Sequence, residues 1–145
     1  MPEATKAEIV CDIDAEALFE VVVDLPRYPE WVDGVEYVDV REEGEDGLPA
    51  LAEFRLESFG KTISYVLAYE YEGIARVAWS LVESNDVKSL EGMYEFFDVD
   101  GGGTAVEYTL TVEPTFPVPK LLRRQVEKQI TNSALRSLVK RAGQA

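Results

Sequence analysis

The chain has 145 residues, with no histidine, one cysteine, and 28 acidic against 14 basic side chains. That length suits one domain, expected to span residues 1–145, which buries roughly two-thirds of its unfolded surface without staples. The lone Cys11 excludes an internal disulfide and any multi-cysteine zinc site, and the missing imidazole removes the commonest general base and metal ligand.

The first residues, Met1 to Glu8, have no apolar core of the kind a signal peptide needs. No run approaches the roughly 18 apolar residues of a membrane span. A cytoplasmic location is therefore expected, in keeping with a reduced thiol. Residues 5–13 alternate loosely and predict a strand. Asp14 stands where an N-cap belongs, ahead of a helix over Ala15–Val23 whose buried stripe is Leu18, Val21 and Val22. Pro26 and Pro29 forbid a long helix in the next segment but suit a short one. Trp31 is expected to fold back and plug one end of the core.

From Val35 to Val112 the pattern is strand after strand. The expected ranges are Val35–Glu43, Ala50–Phe59, Thr62–Tyr71, Arg76–Glu83, Val87–Val99 and Thr104–Val112. Ile63, Tyr65, Leu67, Tyr69 and Tyr71 alternate with Ser64, Val66, Ala68 and Glu70, the period of a sheet with one buried face. By the same rule Val77, Trp79 and Leu81 share a face, as do Leu90, Tyr94 and Phe96, and Val106, Tyr108, Leu110 and Val112. Gly92 falls among the inward positions and predicts a bulge or sharp bend. The alternation around Phe54 and Leu56 turns Glu53 and Arg55 outward. Gly101-Gly102-Gly103 joins two strands and lacks the helix and lysine of a phosphate loop.

Pro114-Thr-Phe-Pro-Val-Pro breaks the sheet, and Lys120–Ala142 predicts a helix of roughly 34 Å. Leu122, Val126, Ile130, Ala134 and Leu138 recur every four residues and define its apolar face. Gln129, Ser133 and Ser137 lie beside them. Small and polar residues opposite a concave sheet leave space, and such space suits a ligand. The charge is also uneven: residues 1–119 carry seven basic and 27 acidic side chains, residues 120–145 seven basic and only Glu127 acidic. An acidic body repels nucleic acid. The basic helix complements the acidic sheet it packs on, or serves as a docking face.

Four segments carry a resemblance. They are Asp24-Leu-Pro-Arg-Tyr-Pro-Glu-Trp-Val, Val77-Ala-Trp-Ser-Leu-Val-Glu, Leu90-Glu-Gly-Met-Tyr-Glu-Phe and Pro117-Val-Pro-Lys-Leu-Leu. In these, and in its order of elements, the chain resembles the START-like (SRPBCC, Bet v 1-like) helix-grip superfamily and, within it, the polyketide cyclase/dehydrase family. The resemblance implies an α+β fold of order β-α-α-β6-α, a curved antiparallel sheet of about seven strands around a long C-terminal helix. It also implies an internal cavity for a hydrophobic small molecule such as a lipid, isoprenoid or polyketide.

On this reading the cavity is walled by Phe54, Tyr65, Leu67, Tyr69, Trp79, Tyr94, Phe96 and Tyr108 from the sheet, and by Val126, Gln129, Ile130, Ser133 and Ala134 from the helix. No catalytic residue, cofactor or metal is expected, and Cys11 has no histidine to activate it. The partner is a hydrophobic ligand, with no nucleic acid. Three functions stay open: a binder or carrier, a polyketide cyclase or dehydratase, and a protein-interaction module. The last would use Arg123, Arg124, Lys128, Arg136, Lys140 and Arg141.

Overall fold

The structure is a computed structural model that describes residues 4–58 and 60–143; Phe59, expected at the end of a strand, and the residues of the two termini lie outside that range. The chain opens with strand β1 (Thr5–Cys11), helix α1 (Ala15–Val23) and a 3₁₀ turn (Leu25–Glu30). Strands β2 (Val35–Glu43), β3 (Pro49–Ser58), β4 (Lys61–Glu72), β5 (Arg76–Glu83), β6 (Val87–Asp98) and β7 (Thr104–Pro114) follow, and helix α2 (Lys120–Ala142) closes the chain.

Local chemistry accounts for the short elements. The Asp14 carboxylate accepts from the Ala17 backbone N–H at 2.8 Å and caps α1. The hydroxyl of Tyr28 donates to the Val22 carbonyl, one of the α1 carbonyls that lack a helical partner. Tyr28 comes from the proline-rich turn, so that turn is stitched under the helix it follows. Trp31 packs edge-on against Tyr28 at 5.0 Å and touches both halves of the core.

All seven strands form one antiparallel sheet in the order β1-β7-β6-β5-β4-β3-β2. The triple-glycine hairpin brings β7 back from β6, and Gly103 lies at φ +96° with its Cα against β1. A Cβ there would meet the Cys11 carbonyl oxygen at 2.3 Å, so only glycine lets β1 come this close. The adjoining Thr104 is fully buried and donates to the Ile13 carbonyl at 2.7 Å.

Gly92 does not make a bulge. It pairs in regular register with Trp79 and with Leu110, and the irregularity of β6 lies between Val87 and Ser89 instead. A Cβ on Gly92 would stand 2.6 Å from the Trp79 ring. The missing side chain makes room for an indole, and the strand keeps its regular pairing.

The core falls into two clusters. One gathers α1, the middle strands and the C-terminal half of α2, with Leu18, Val22, Val77, Phe96, Val106, Leu135 and Leu138 at its centre. The other gathers Leu25, Tyr28, Val38, Ala52, Phe54, Ile63, Leu67, Val87 and Leu90, and no buried residue of α2 belongs to it. Helix α2 therefore grips the sheet along part of its length only.

The face of α2 that seats on the sheet differs from the expected one. Its buried residues are Glu127, Thr131, Leu135, Leu138 and Ala142. Of the expected stripe, Leu138 is buried, whereas Leu122 is 44% and Ile130 39% exposed. The seating depends on Glu127, which is fully buried. Its carboxylate accepts from the Thr5 hydroxyl at 2.9 Å and from the Val112 backbone N–H at 2.9 Å. Pairing between β1 and β7 ends at Thr5 and Leu110, so Val112 lies beyond the last β1 partner and a helix side chain takes the strand's place.

A buried carboxylate is tolerable only with its oxygens occupied. Glu127→Ala is expected to lower unfolding free energy by about 2–4 kcal/mol, read from urea unfolding with an unchanged m-value. Glu127→Gln keeps an acceptor for the Val112 N–H and can donate to the Thr5 hydroxyl, which accepts as well as donates, so it is expected to lose less than the alanine variant. A loss below about 0.5 kcal/mol for the alanine variant would mean that the leucines alone hold α2.

Candidate functional site

Between the second core cluster and α2 lies a cavity of about 510 Å³, within the range of small-molecule sites. The inner faces of β3, β4, β6 and β7, with Trp79 of β5, make its floor. Val126, Gln129, Ile130, Ser133, Ala134 and Ser137 of α2 make its roof. Of the stripe read from the sequence, Val126, Ile130 and Ala134 face this void, and Leu122 and Leu138 do not.

All the residues expected from the sequence lie on this wall except Phe96. Phe96 is buried in the first cluster, stacked on Tyr94 at 6.4 Å, and pairs with Val106 toward the triple-glycine hairpin. There α1 and the end of α2 close down on the sheet, and no space remains. Sequence reasoning passed over Tyr28, Asp33, Glu57, Val87, Leu90, Leu110, Val112 and Arg123, which also line the cavity. Leu90, Leu110 and Val112 were already on inward faces by alternation. Arg123 lies three residues before Val126, in the row that runs on to Ile130, and that spacing was a usable signal.

The wall is aromatic and tightly interlocked. Tyr94 meets Tyr108 edge-on at 4.6 Å, and Trp79 contacts Tyr69, Tyr94 and Tyr108 at 5.9, 5.6 and 5.8 Å. Phe54 stacks on Tyr65 at 5.4 Å. Such pairs hold their rings in fixed orientations. Two tyrosines spend their hydroxyls on structure, Tyr28 on Val22 and Tyr71 on the Pro49 carbonyl at 2.6 Å. Those of Tyr65, Tyr69, Tyr94 and Tyr108 have no hydrogen-bond partner among the described residues and are not sealed off, so they open into the cavity. Burial pushes all four phenols well above their ordinary value of 10. They are neutral donors at any physiological pH.

Three charged residues also line the cavity: Asp33 and Glu57, both exposed, where the segment after the 3₁₀ turn approaches the end of β3, and Arg123 in the first turn of α2. Gly34 and Glu57 bond through the Gly34 carbonyl and the Glu57 N–H at 2.9 Å. On the outer face Glu53 binds Tyr37 and Arg41 at 2.9 and 2.8 Å, and Arg55 lies over the Tyr37 ring, so these charges do not reach the cavity.

The basic residues of α2 divide. Lys128, Arg136 and Lys140 are exposed. Arg141 instead donates to Glu30 at 2.7 Å and holds its carboxyl below the ordinary value, tying the end of α2 to the 3₁₀ turn. Among the described residues no group of three or more Cys, Asp and Glu gathers as a metal site, and no helix is long and apolar enough to cross a membrane.

The family described as polyketide cyclase / dehydrase and lipid transport matches residues 11–139. The chain is similar to "Ribosome association toxin RatA" of Vibrio cholerae, at 25% identity over 99% of this chain and 97% of that protein. Among solved structures it is similar to a START superfamily protein from Mycobacterium smegmatis, at TM-score 0.88 and 18% identity, covering 97% of each chain. It is also similar to the Zhui aromatase/cyclase from Streptomyces sp. R1128, at TM-score 0.81 and 15% identity, over 97% of this chain and 93% of that one. At such identities the two structures speak for the fold, a sheet curved around a long helix.

Two predictions follow from the wall. Gly92→Ala is expected to drive the Trp79 ring into the cavity, at a cost of about 1–3 kcal/mol. In a Trp31→Phe background, which leaves Trp79 the single tryptophan, its emission is expected to shift. An unchanged spectrum would mean that the strand yields and the ring does not. The second concerns alkali. The unfolded chain releases phenolic protons near pH 10, whereas the folded chain retains those of the cavity tyrosines to higher pH. The unfolded state therefore binds fewer protons, and stability holds below about pH 10 and falls as pH rises beyond it. Phenolate absorbance is expected to rise together with loss of the far-ultraviolet circular dichroism signal. Titration of these groups near pH 10 in a chain that stays folded would contradict their burial.

Proposed function

This chain belongs to the polyketide cyclase/dehydrase and lipid transport family, and we propose that within it the protein is a container: it binds or carries a hydrophobic small molecule bearing a few oxygens. The observation that carries this reading is the cavity of about 510 Å³, whose apolar wall offers four tyrosine hydroxyls with no protein acceptor. An apolar body fits the aromatic and aliphatic surface, and ligand oxygens give the hydroxyls their acceptors. Polar groups that lose water to an apolar ligand without gaining a partner cost free energy. A ligand with oxygens in the right places removes that cost.

A second reading, a polyketide cyclase or dehydratase, draws support from the family description and from the likeness to an aromatase/cyclase. In that case the tyrosines would donate to an enolate while the walls hold a bent chain. The chemistry of the wall favours the container. The phenols are pushed up, so at physiological pH they stay protonated and supply no phenolate to act as a base, and the chain has no imidazole to take a proton.

Native mass spectrometry and solvent extraction of the purified protein are expected to recover a bound lipid, isoprenoid or aromatic molecule. Ala134→Trp, which puts a large ring into the roof, is expected to weaken its retention at least about tenfold while Tm moves by only a few degrees. If no ligand is retained or taken up from such a panel, the container reading fails. If a poly-ketone is turned over and Tyr94→Phe with Tyr108→Phe abolishes the turnover without loss of binding, the cyclase takes its place.

A further inference from the structure

Arg123 is out of keeping with the rest of the cavity wall. It is half-buried, its Nε–H is fully buried with no acceptor, and among the described residues it makes no ion pair. The nearest acid along the helix, Glu127, stands one turn further on, where an arginine and a glutamate commonly pair. Here Glu127 is already committed, one oxygen to Thr5 and the other to Val112. Arg123 is left on the side of the cavity, beside Val112, Pro114 and Val126. It also lies in the first turn of α2, which has no acidic residue and no capping side chain, so the positive end of the helix dipole adds to its charge. The Nε–H is sealed, whereas the terminal amino groups of this half-buried guanidinium are not, and among the described residues they have no acceptor. Carboxylates are the groups that the planar guanidinium matches best.

Resting on the container reading above, we infer that the ligand is an amphiphile with a terminal carboxylate, which Arg123 binds while the apolar portion lies beneath α2. The charge of the ligand is set by the neighbours. Asp33 and Glu57 line the same cavity. A phosphate, carrying about −1.5 to −2, would meet one cation and two carboxylates among the residues that line it. A single negative charge meets less repulsion and still pairs with the terminal amino groups of the guanidinium.

The test uses the full chain with cis-parinaric acid and with its methyl ester, each followed by its own fluorescence on binding. The acid is expected to bind at least about tenfold more tightly than the ester. Arg123→Gln is expected to remove that difference by weakening the acid alone, and Arg123→Lys to keep part of it. The lysine variant also controls for any loss of fold. Equal binding of acid and ester by the unaltered protein would overturn the inference while leaving the container reading standing. So would Arg123→Gln weakening both probes alike, since Arg123 would then only shape the cavity. Binding of neither probe removes the inference, and if the wider ligand panel also fails the container reading falls with it.

Discussion

The buried carboxylate of Glu127 holds the architecture at its most consequential point. It reaches from the first half of α2 to the hydroxyl of Thr5 on β1 and to the amide of Val112 on β7, both at 2.9 Å. Those two contacts fix the rotation of α2 about its own axis. With Glu127 and Thr131 turned down onto the sheet edge, the row from Val126 to Ala134 cannot also be turned down. That row hangs over the concave surface and lines the cavity, with only Ala134 reaching the first core cluster. The void is thus a consequence of where the helix is seated. Further along, Leu135, Leu138 and Ala142 replace the polar anchor with ordinary apolar packing, and Arg141 bonds to Glu30. The helix is fixed at one edge and at its end, and stands clear elsewhere.

The sheet contributes a wall that is rigid because its rings brace one another. Trp79 is central: it touches three tyrosines, and it fits only because Gly92 across the strand pair has no side chain. The same interlocking keeps the four free hydroxyls in place, so they are presented without the entropy loss of ordering them on binding. Burial keeps them protonated. A wall of this kind offers hydrogen-bond donors and shape. Its phenols do not serve as bases.

That distinction bears on how a shared fold hosts different functions. A sheet curved around a helix is common to the mycobacterial START protein and the streptomycete aromatase/cyclase that this chain resembles in shape. The fold supplies an enclosed apolar volume, and what happens inside depends on a few side chains along its wall. In this chain those are neutral phenols, one uncommitted guanidinium and two exposed carboxylates.

The amino-acid sequence alone determined the order of elements, the inward face of almost every strand and the absence of imidazole chemistry. Strand faces are legible because the side-chain period is two, so one buried tyrosine assigns its whole row, as it did for Tyr65, Leu67 and Tyr69. The cavity wall followed from those rows. What the tertiary structure decided was the seating of α2, the burial of Phe96 outside the cavity, the role of Gly92 and the place of Arg123. A helix has several candidate faces, and local periodicity favoured the most apolar one. The actual seat was chosen by a carboxylate whose partners lie 122 and 15 residues away. Gly92 likewise reads as a bend until the ring opposite it is known. Phe96 shares its strand face with Tyr94, and only the closing of α1 and α2 over that end of the sheet removes the space beside it. Apart from Arg123, which its spacing from Val126 and Ile130 could have placed on the cavity side, each of these was settled by which groups meet across the fold, and the spacing of residues along the chain carries no record of that.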